Sequence, residues 1–244
     1  MNEQPIEKRA THAYGTYSVH SIFYTIQGEG PFTGTPAVFI RLAGCNLQCP
    51  LCDTDYTSNR QERTVQELVS KVYSLLPGAY TGGLVVITGG EPFRQELTPL
   101  VLELIRLGYY VQIETNGTLE VPILLIAEAV NSFGYHRRGL YIVVSPKTGK
   151  IHPSVAQAAY AFKYVAKADD ISDIDGLPSH ALEHPAHPAL ARPPQYVHRS
   201  LIYLQPADEK NATANALNQA TCIKYAMLFG YNLQLQVHKI LGLE

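Results

Sequence analysis

The chain has 244 residues, 46% of them hydrophobic, enough to build the core of one large α/β unit. Its formal net charge is −2 and its lysines and arginines are dispersed, which argues against a nucleic-acid surface and for a small-molecule partner. The first twenty residues contain no apolar signal segment, and the longest apolar run, residues 123–127, is far too short to cross a bilayer, so neither export nor a membrane partner is expected.

Apolar, β-branched runs alternate with helix-period segments along the chain. Residues 37–42 predict a strand running into a loop that holds three of the four cysteines. Thr64 and Glu67 have capping-box spacing, in which hydroxyl and carboxylate satisfy free backbone N–H groups at a helix start. Behind them Leu68, Val69, Val72, Tyr73 and Leu76 fall on one helical face. Residues 84–88 predict a buried strand, and a helix through Leu97, Leu100, Val101, Leu104 and Ile105 ends at Gly108. Further strands are expected over 110–113, 140–144, 161–165, 201–204 and 232–237. Strands alternating with helices imply a parallel sheet, and too few βα units are visible for a closed eightfold barrel. The expected fold is therefore α/β, an open partial (β/α) barrel of parallel strands, with residues 1–244 forming a single domain. Residues 178–198 contain five prolines and His180, His184, His187 and His198; they read as a solvated surface loop without regular structure.

Most of these strands end in residues suited to binding. They are Thr88-Gly-Gly-Glu91-Pro92, Glu114-Thr-Asn116-Gly117, Ser145-Pro146-Lys147, Gln205-Pro206 and His238-Lys239. In parallel barrels the active site lies at the C-terminal strand ends. Taken singly each has a plainer reading: a turn for Gly-Gly-Glu-Pro and for Asn116-Gly117, a surface lysine for Lys147, a structural histidine for His238.

Cys45, Cys49 and Cys52 have C-x3-C-x2-C spacing. Iron–sulfur clusters are normally held by four Cys, so three thiolates would leave one iron of a 4Fe–4S cluster open to a small molecule. A zinc site, which wants four closed ligands, and reduced structural thiols are the alternatives. Cys222 lies in an apolar helical pattern and reads as a buried small hydrophobe. An oxygen-sensitive cluster loop without paired cysteines points to the reducing cytoplasm.

The cysteine loop resembles that of the radical S-adenosylmethionine enzymes. Gln27-Gly-Glu-Gly30, Arg41, Cys52-Asp-Thr54 and the strand-end motifs, in this order, resemble the 7-carboxy-7-deazaguanine synthases among them, from about residue 20 onward. That resemblance implies conversion of 6-carboxy-5,6,7,8-tetrahydropterin to 7-carboxy-7-deazaguanine with loss of ammonia, in queuosine and 7-deazapurine biosynthesis. It implies a 4Fe–4S cluster on Cys45, Cys49 and Cys52, S-adenosylmethionine as a true cofactor, magnesium on Thr54, a flavodoxin-like electron donor and a homodimer. Substrate-binding positions carried over are Ile26, Gln27, Gly28, Glu29, Arg41, Thr88, His238 and Glu244. Those for the cofactor are Gly90, Glu91, Glu114, Asn116, Ser145, Pro146, Lys147 and Gln205. In this reading Gly89 and Gly90 admit close backbone approach to the methionine part and Glu91 pairs with its amino group. Glu29 suits the guanidine-like edge of the pterin, and Arg41 and His238 its carboxylate. Leu51 departs from the aromatic residue usual before the third cysteine. A glycyl-radical activase would share the cluster loop, and a zinc-dependent binding module is the non-enzyme alternative; Gln27–Gly30 and Thr54 argue against the activase.

Overall fold

The computed structural model describes residues 2–76, 82–132, 139–181 and 189–243. Their strands form one nine-stranded sheet: β1 (Thr16–Ile26), β2 (Pro36–Leu42), β3 (Gln61–Thr64), β4 (Leu84–Gly89), β5 (Tyr110–Thr115), β6 (Leu140–Val144), β7 (Ala159–Ala166), β8 (Ile202–Pro206) and β9 (Asn232–Leu233). Its order is β3-β1-β2-β4-β5-β6-β7-β8-β9. β1 pairs antiparallel with β2 and β3, while β2 and β4 through β9 are all parallel. β3 and β9 are the two ends of that order, so the sheet is open, as expected of a partial barrel.

The helices are α1 (Val65–Leu75), α2 (Thr98–Arg106), α3 (Ile123–Ser132), α4 (Pro153–Ala158), α5 (Ala212–Phe229) and α6 (Val237–Leu241). α1 starts where the capping box lies: Glu67 N–H donates to Thr64 Oγ1 at 3.3 Å and Thr64 N–H to Glu67 Oε2 at 2.7 Å. Such caps contribute about 1 kcal/mol. Alternate strand residues such as Ile40, Val85, Ile113 and Ile142 join Leu68, Leu100 and Leu125 of the helices in the main core. Period-two alternation turns the intervening residues, among them Arg41, Thr88, Gln112, Glu114, Lys163 and Gln205, to the other face. Cys222 is fully buried in α5, as its helical pattern predicts.

Several expectations are corrected. Tyr73 is 56% exposed and leaves the buried face of α1, which consists of Val65, Leu68 and Val72. The strand expected over 232–237 stops at Leu233, and Val237 opens α6, so His238 stands on a short helix. The apolar run 123–127 begins α3, which buries Leu125 and Ile126 and leaves Ile123 and Leu124 exposed. The 178–198 segment is docked at its described ends. Ala181 and Leu190 join the main core. Arg192 donates to Asp175 (2.7 and 3.2 Å) and to the Pro178 carbonyl (2.6 Å), and Tyr164 donates to the Ala191 carbonyl (2.8 Å). No continuous ladder forms there; single backbone bonds, Leu190 N–H to the Ser179 carbonyl (2.8 Å) and Ala191 N–H to the Thr148 carbonyl (2.9 Å), act beside these side-chain bonds. His184 and His187 lie outside the described residues.

Candidate active site

The three thiols follow β2 directly. Cys45 and Cys49 are buried, Cys52 is half-buried, and none is in a disulfide. Burial pushes the Cys45 thiol up to about 12, and the neighbouring Glu91, Cys49 and Cys52 push the same way. Burial raises Cys49 to about 11, opposed by the Lys147 ammonium. Cys52 is raised by burial too, with Lys147 and Arg41 opposing. The thiols thus feel one another and two fixed cations. That fits an anionic cluster: coordination deprotonates each thiol, and Lys147 and Arg41 offset the resulting charge. Leu51 is exposed beside Cys52 at the mouth of the site.

The Gly-Gly-Glu turn after β4 packs against this loop. A Cβ on Gly89 would lie 2.1 Å from the Leu42 carbonyl oxygen, and one on Gly90 2.1 Å from that of Gly44 and 3.0 Å from the Cys45 Cβ. The close approach that needs glycine is therefore to the chain's own backbone at the end of β2, and not first to a ligand. Glu91 is likewise bound by the chain itself. It is 0% exposed and accepts from Thr115 Oγ1 (2.7 Å), Asn116 N–H (2.8 Å) and Phe93 N–H (3.0 Å). Burial pushes its carboxyl up to about 7 against those hydrogen bonds. Its carboxylate ties the end of β4 to the end of β5 through three accepted hydrogen bonds, two on Oε1 and one on Oε2. Asn116 continues the tie, donating to Asn46 Oδ1 at 2.9 Å and accepting from Thr118 N–H at 2.9 Å.

A cavity of about 1180 Å³ opens over the C-terminal strand ends. Glu29, Cys52, Ser145, Lys147 and Gln205 line it, with Lys163 of β7. Lys147 Nζ donates to Ser145 Oγ at 3.1 Å. Burial and the Lys163 cation lower the Lys147 pKa, opposed by Cys49, Glu29 and Cys52. Pro146, between Ser145 and Lys147, is buried. Gln205 is 3% exposed, and its Oε1 has no hydrogen-bond partner. A buried orphan acceptor on a cavity wall is what a donor group of a bound molecule would satisfy.

Glu29 meets the Lys163 ammonium and accepts from Gln236 Nε2 at 2.7 Å. Burial alone would raise the Glu29 carboxyl, but Lys163, Gln236 and His238 outweigh it and hold the group well below the usual carboxylate range. Lys163 is raised in return: burial lowers it, and Glu29 and Glu114 more than compensate. Gln27, nearly fully buried, takes Glu29 N–H on its Oε1 at 3.1 Å and donates to Glu114 Oε1 at 3.0 Å. Glu114 also accepts from Gln112 Nε2 (2.9 Å) and Thr88 Oγ1 (3.2 Å). So Glu114, carried over as a cofactor position, is a hub among the positions expected for substrate. His238 packs on Gly28, where an added Cβ would stand 2.1 Å from its Nδ1. Ile26 ends β1 opposite Pro36. Arg41 Nη1 donates to Thr54 Oγ1 at 3.4 Å. Glu244 lies outside the described residues.

Sequence reasoning missed Gln112 and Lys163. Their signal was present as a polar and a charged residue inside otherwise apolar strands, each at an alternation position facing the cavity side. Among the described residues no three or more His, Cys, Asp or Glu side chains converge as they would around a single metal ion.

A parallel half-barrel with three thiols after its first parallel strand, a Gly-Gly-Glu turn against them and a polar mouth defines a radical S-adenosylmethionine enzyme. The model of the Radical SAM superfamily matches residues 39–141. The chain is 43% identical over 231 residues, 91% of each protein, to the 7-carboxy-7-deazaguanine synthase of Rhodospirillum rubrum, and 30% identical to that of Escherichia coli over 93% of this chain and 99% of the relative. The crystal structure of QueE from Escherichia coli superposes with a TM-score of 0.66 at 26% identity, over 91% of this chain and 95% of that one. The chain belongs to the 7-carboxy-7-deazaguanine synthase family and is a radical S-adenosylmethionine lyase of 7-deazapurine biosynthesis. Among the described residues no helix is long and apolar enough to cross a membrane.

Proposed function

We propose that the chain contracts the ring of 6-carboxy-5,6,7,8-tetrahydropterin to 7-carboxy-7-deazaguanine by a division of labour around the 1180 Å³ cavity. Cys45, Cys49 and Cys52 hold a 4Fe–4S cluster with one open iron. When bound there, the cluster and S-adenosylmethionine would supply reversible hydrogen-atom abstraction. The overall change releases only ammonia and consumes no oxidant.

The chain's own residues bind and orient. Ser145 and Lys147 hold the polar part of the cofactor, and Gln205 Oε1 accepts from it. The Gly90 segment serves through its backbone and Glu91 through the tie it makes to Asn116. Glu29 accepts the amino and N–H edge of the pterin, with Gln27, Gly28, Thr88 and Glu114 fixing its seat. Arg41 meets the pterin carboxylate, and His238, set by Gly28, reaches it from α6.

Magnesium fits at Thr54 only in part. Thr54 Oγ1 lies 3.3 Å from Asp53 Oδ1, so a second oxygen is at hand, but the Arg41 cation is also a neighbour. A cation beside a guanidinium needs an anion between them. The ion would therefore share the pterin carboxylate with Arg41, keeping waters on its remaining positions. A flavodoxin-like donor, a homodimer, a single working domain and a cytoplasmic setting complete this reading.

The observation that carries it is the meeting of Arg41 and Thr54 two residues after Cys52. The test is anaerobic reconstitution followed by turnover with S-adenosylmethionine, the carboxypterin, magnesium and reduced flavodoxin. Stoichiometric 7-carboxy-7-deazaguanine and ammonia are expected. Cleavage of S-adenosylmethionine without the deazaguanine product would reject the reading.

A further inference from the structure

Residues 2–10 precede every motif that carries the family resemblance, yet they lie along the thiol loop. Glu7 N–H donates to the Cys45 carbonyl at 2.7 Å, and Ile6 forms a β-bridge with Cys45. Asn2 Nδ2 donates to the Cys49 carbonyl at 3.1 Å, and Asn2 N–H to that of Pro50 at 2.9 Å. Gln4 grips the loop with both ends of its carboxamide: Nε2 donates to the Thr54 carbonyl at 2.9 Å, and Oε1 accepts Tyr56 N–H at 2.7 Å. The Gln4 carbonyl accepts from Gln48 Nε2 at 2.9 Å, between the first two thiols.

The segment is anchored at its far end. Arg94, almost fully buried three residues after Glu91, donates to the carbonyls of Glu7 (3.1 Å), Lys8 (3.0 Å) and Ala43 (3.2 Å) and to Glu7 Oε2 (3.1 Å). Ala10 N–H returns a bond to the Arg94 carbonyl at 2.8 Å. Between β2 and β3 the thiol loop has no helix or strand ladder of its own. Its carbonyls must find donors elsewhere or remain with water, and residues 2–7 supply four of them. Gln4 does for Thr54 and Tyr56 what a neighbouring strand would do.

We infer that residues 2–10 are a strap that sets the geometry of the thiol loop before the cluster arrives, with Gln4 and Asn2 as positioning residues acting through Thr54 and Cys49. The inference rests on the assignment of Cys45, Cys49 and Cys52 to the cluster. It goes beyond that assignment by giving a role to a segment outside the family motifs.

The experiment uses the full chain carrying Gln4→Ala, Gln4→Glu or Asn2→Ala, with Arg9→Gln on the exposed side of the strap as control. Amide exchange is followed in the protein without cluster, and the half-life of the reconstituted cluster in air is followed by absorbance. Gln4→Ala is expected to speed exchange of the Tyr56 amide at least tenfold and to shorten cluster half-life severalfold. Gln4→Glu keeps the acceptor for Tyr56 N–H and loses the donor to Thr54, so it should keep Tyr56 protected and still shorten cluster half-life. Asn2→Ala should shorten it through Cys49, and Arg9→Gln should change neither readout. Wild-type Tyr56 protection and wild-type cluster half-life in Gln4→Ala would overturn the strap; a wild-type half-life in Gln4→Glu would overturn its action through Thr54. Because exchange is read without iron, failure of the wild-type chain to take up iron would count against the cysteine assignment and leave the exchange result standing.

Discussion

The Arg41 guanidinium lies 3.4 Å from the Thr54 hydroxyl, although the two residues come from different places, β2 and the far side of the thiol loop. The contact makes sense as half of a three-body arrangement. Arg41 is always charged and meets a carboxylate with two parallel bonds. A magnesium ion on Thr54 would repel it unless that carboxylate lies between them.

Two variants separate the halves. Thr54→Ala should lower turnover and abolish most stimulation by magnesium while iron content stays at the wild-type level. Arg41→Ala should weaken pterin binding by about 1.5–3 kcal/mol, the scale of one charge-assisted bond, with a smaller effect on uncoupled cleavage of S-adenosylmethionine, since Lys147 still faces the thiols. Titrations of turnover against magnesium and pterin check both. A magnesium dependence identical to wild type in Thr54→Ala would remove Thr54 from the site.

Alanine at Cys45, Cys49 or Cys52 should abolish cluster assembly and with it reductive cleavage of S-adenosylmethionine. Cys222→Ala should keep wild-type iron and sulfide, since Cys222 is fully buried in the apolar core on α5 and not in the thiol loop. Its cost should appear only as stability, about 1 kcal/mol for a small buried group. Iron and acid-labile sulfide analysis decides; loss of iron in Cys222→Ala would make it a ligand and close the open site.

Much of this site is legible in the sequence because each strand end carries its polar residues in one contiguous run. Periodicity places the strands, and parallel topology places their C-terminal ends together. What is not legible is which side chains are consumed by the protein itself. Glu91 reads as a ligand partner, and nothing in its motif shows that the N–H groups of Phe93 and Asn116 and the Thr115 hydroxyl also bond its oxygens. The first bond is local; the others need β5 beside β4, which no spacing reveals. Lys163 and Gln112 are single residues without a motif. Residues 178–198 read as peripheral because prolines break periodicity, whereas docking there rests on contacts that no period marks: Ala181 and Leu190 in the core, Tyr164 on the Ala191 carbonyl, and Arg192 on Asp175 and the Pro178 carbonyl.

That arginine gives a stability test. Arg192 is about one-third exposed, so solvent screens its ion pair with Asp175, and the hydrogen bond to Pro178 carries much of its effect. Arg192→Ala should cost about 1–2 kcal/mol, read as a lower midpoint in urea unfolding. A chain of this size should lose about 2–4 °C in Tm for each kcal/mol. An unchanged midpoint would show that the ends of the segment hold without it.

Lys163 is the group that would keep Glu29 charged for a pterin edge. To accept the two N–H groups of a pterin edge, Glu29 must be ionised. The groups facing it are Lys163 from β7, Gln236, His238 from α6 and the Lys147 ammonium; Lys163 in turn faces Glu114, Asp53 and Lys147. Burial works against the charge, and Lys163 is the largest force restoring it. With its folded pKa below the free value of 4.5, Glu29 contributes stability that is present above that pH and lost as pH falls through the folded value. Lys163, raised above 10.5, contributes stability below that pH and loses it as pH rises through its folded value. Pterin affinity in the wild-type enzyme should therefore be flat between about pH 5.5 and 8.5 as far as Glu29 is concerned. In Lys163→Met the burial penalty loses its largest counterweight and is opposed by Gln236, His238 and the Lys147 ammonium, so the Glu29 carboxyl moves up. Its protonated fraction then grows as pH falls, and pterin affinity should drop by up to about tenfold per pH unit below the new pKa. Lys163→Arg should keep the flat profile at reduced affinity, because it keeps the charge and changes the shape. Binding of the carboxypterin measured by calorimetry across this range decides the point; a flat profile in Lys163→Met would show that Glu29 holds its charge without the lysine.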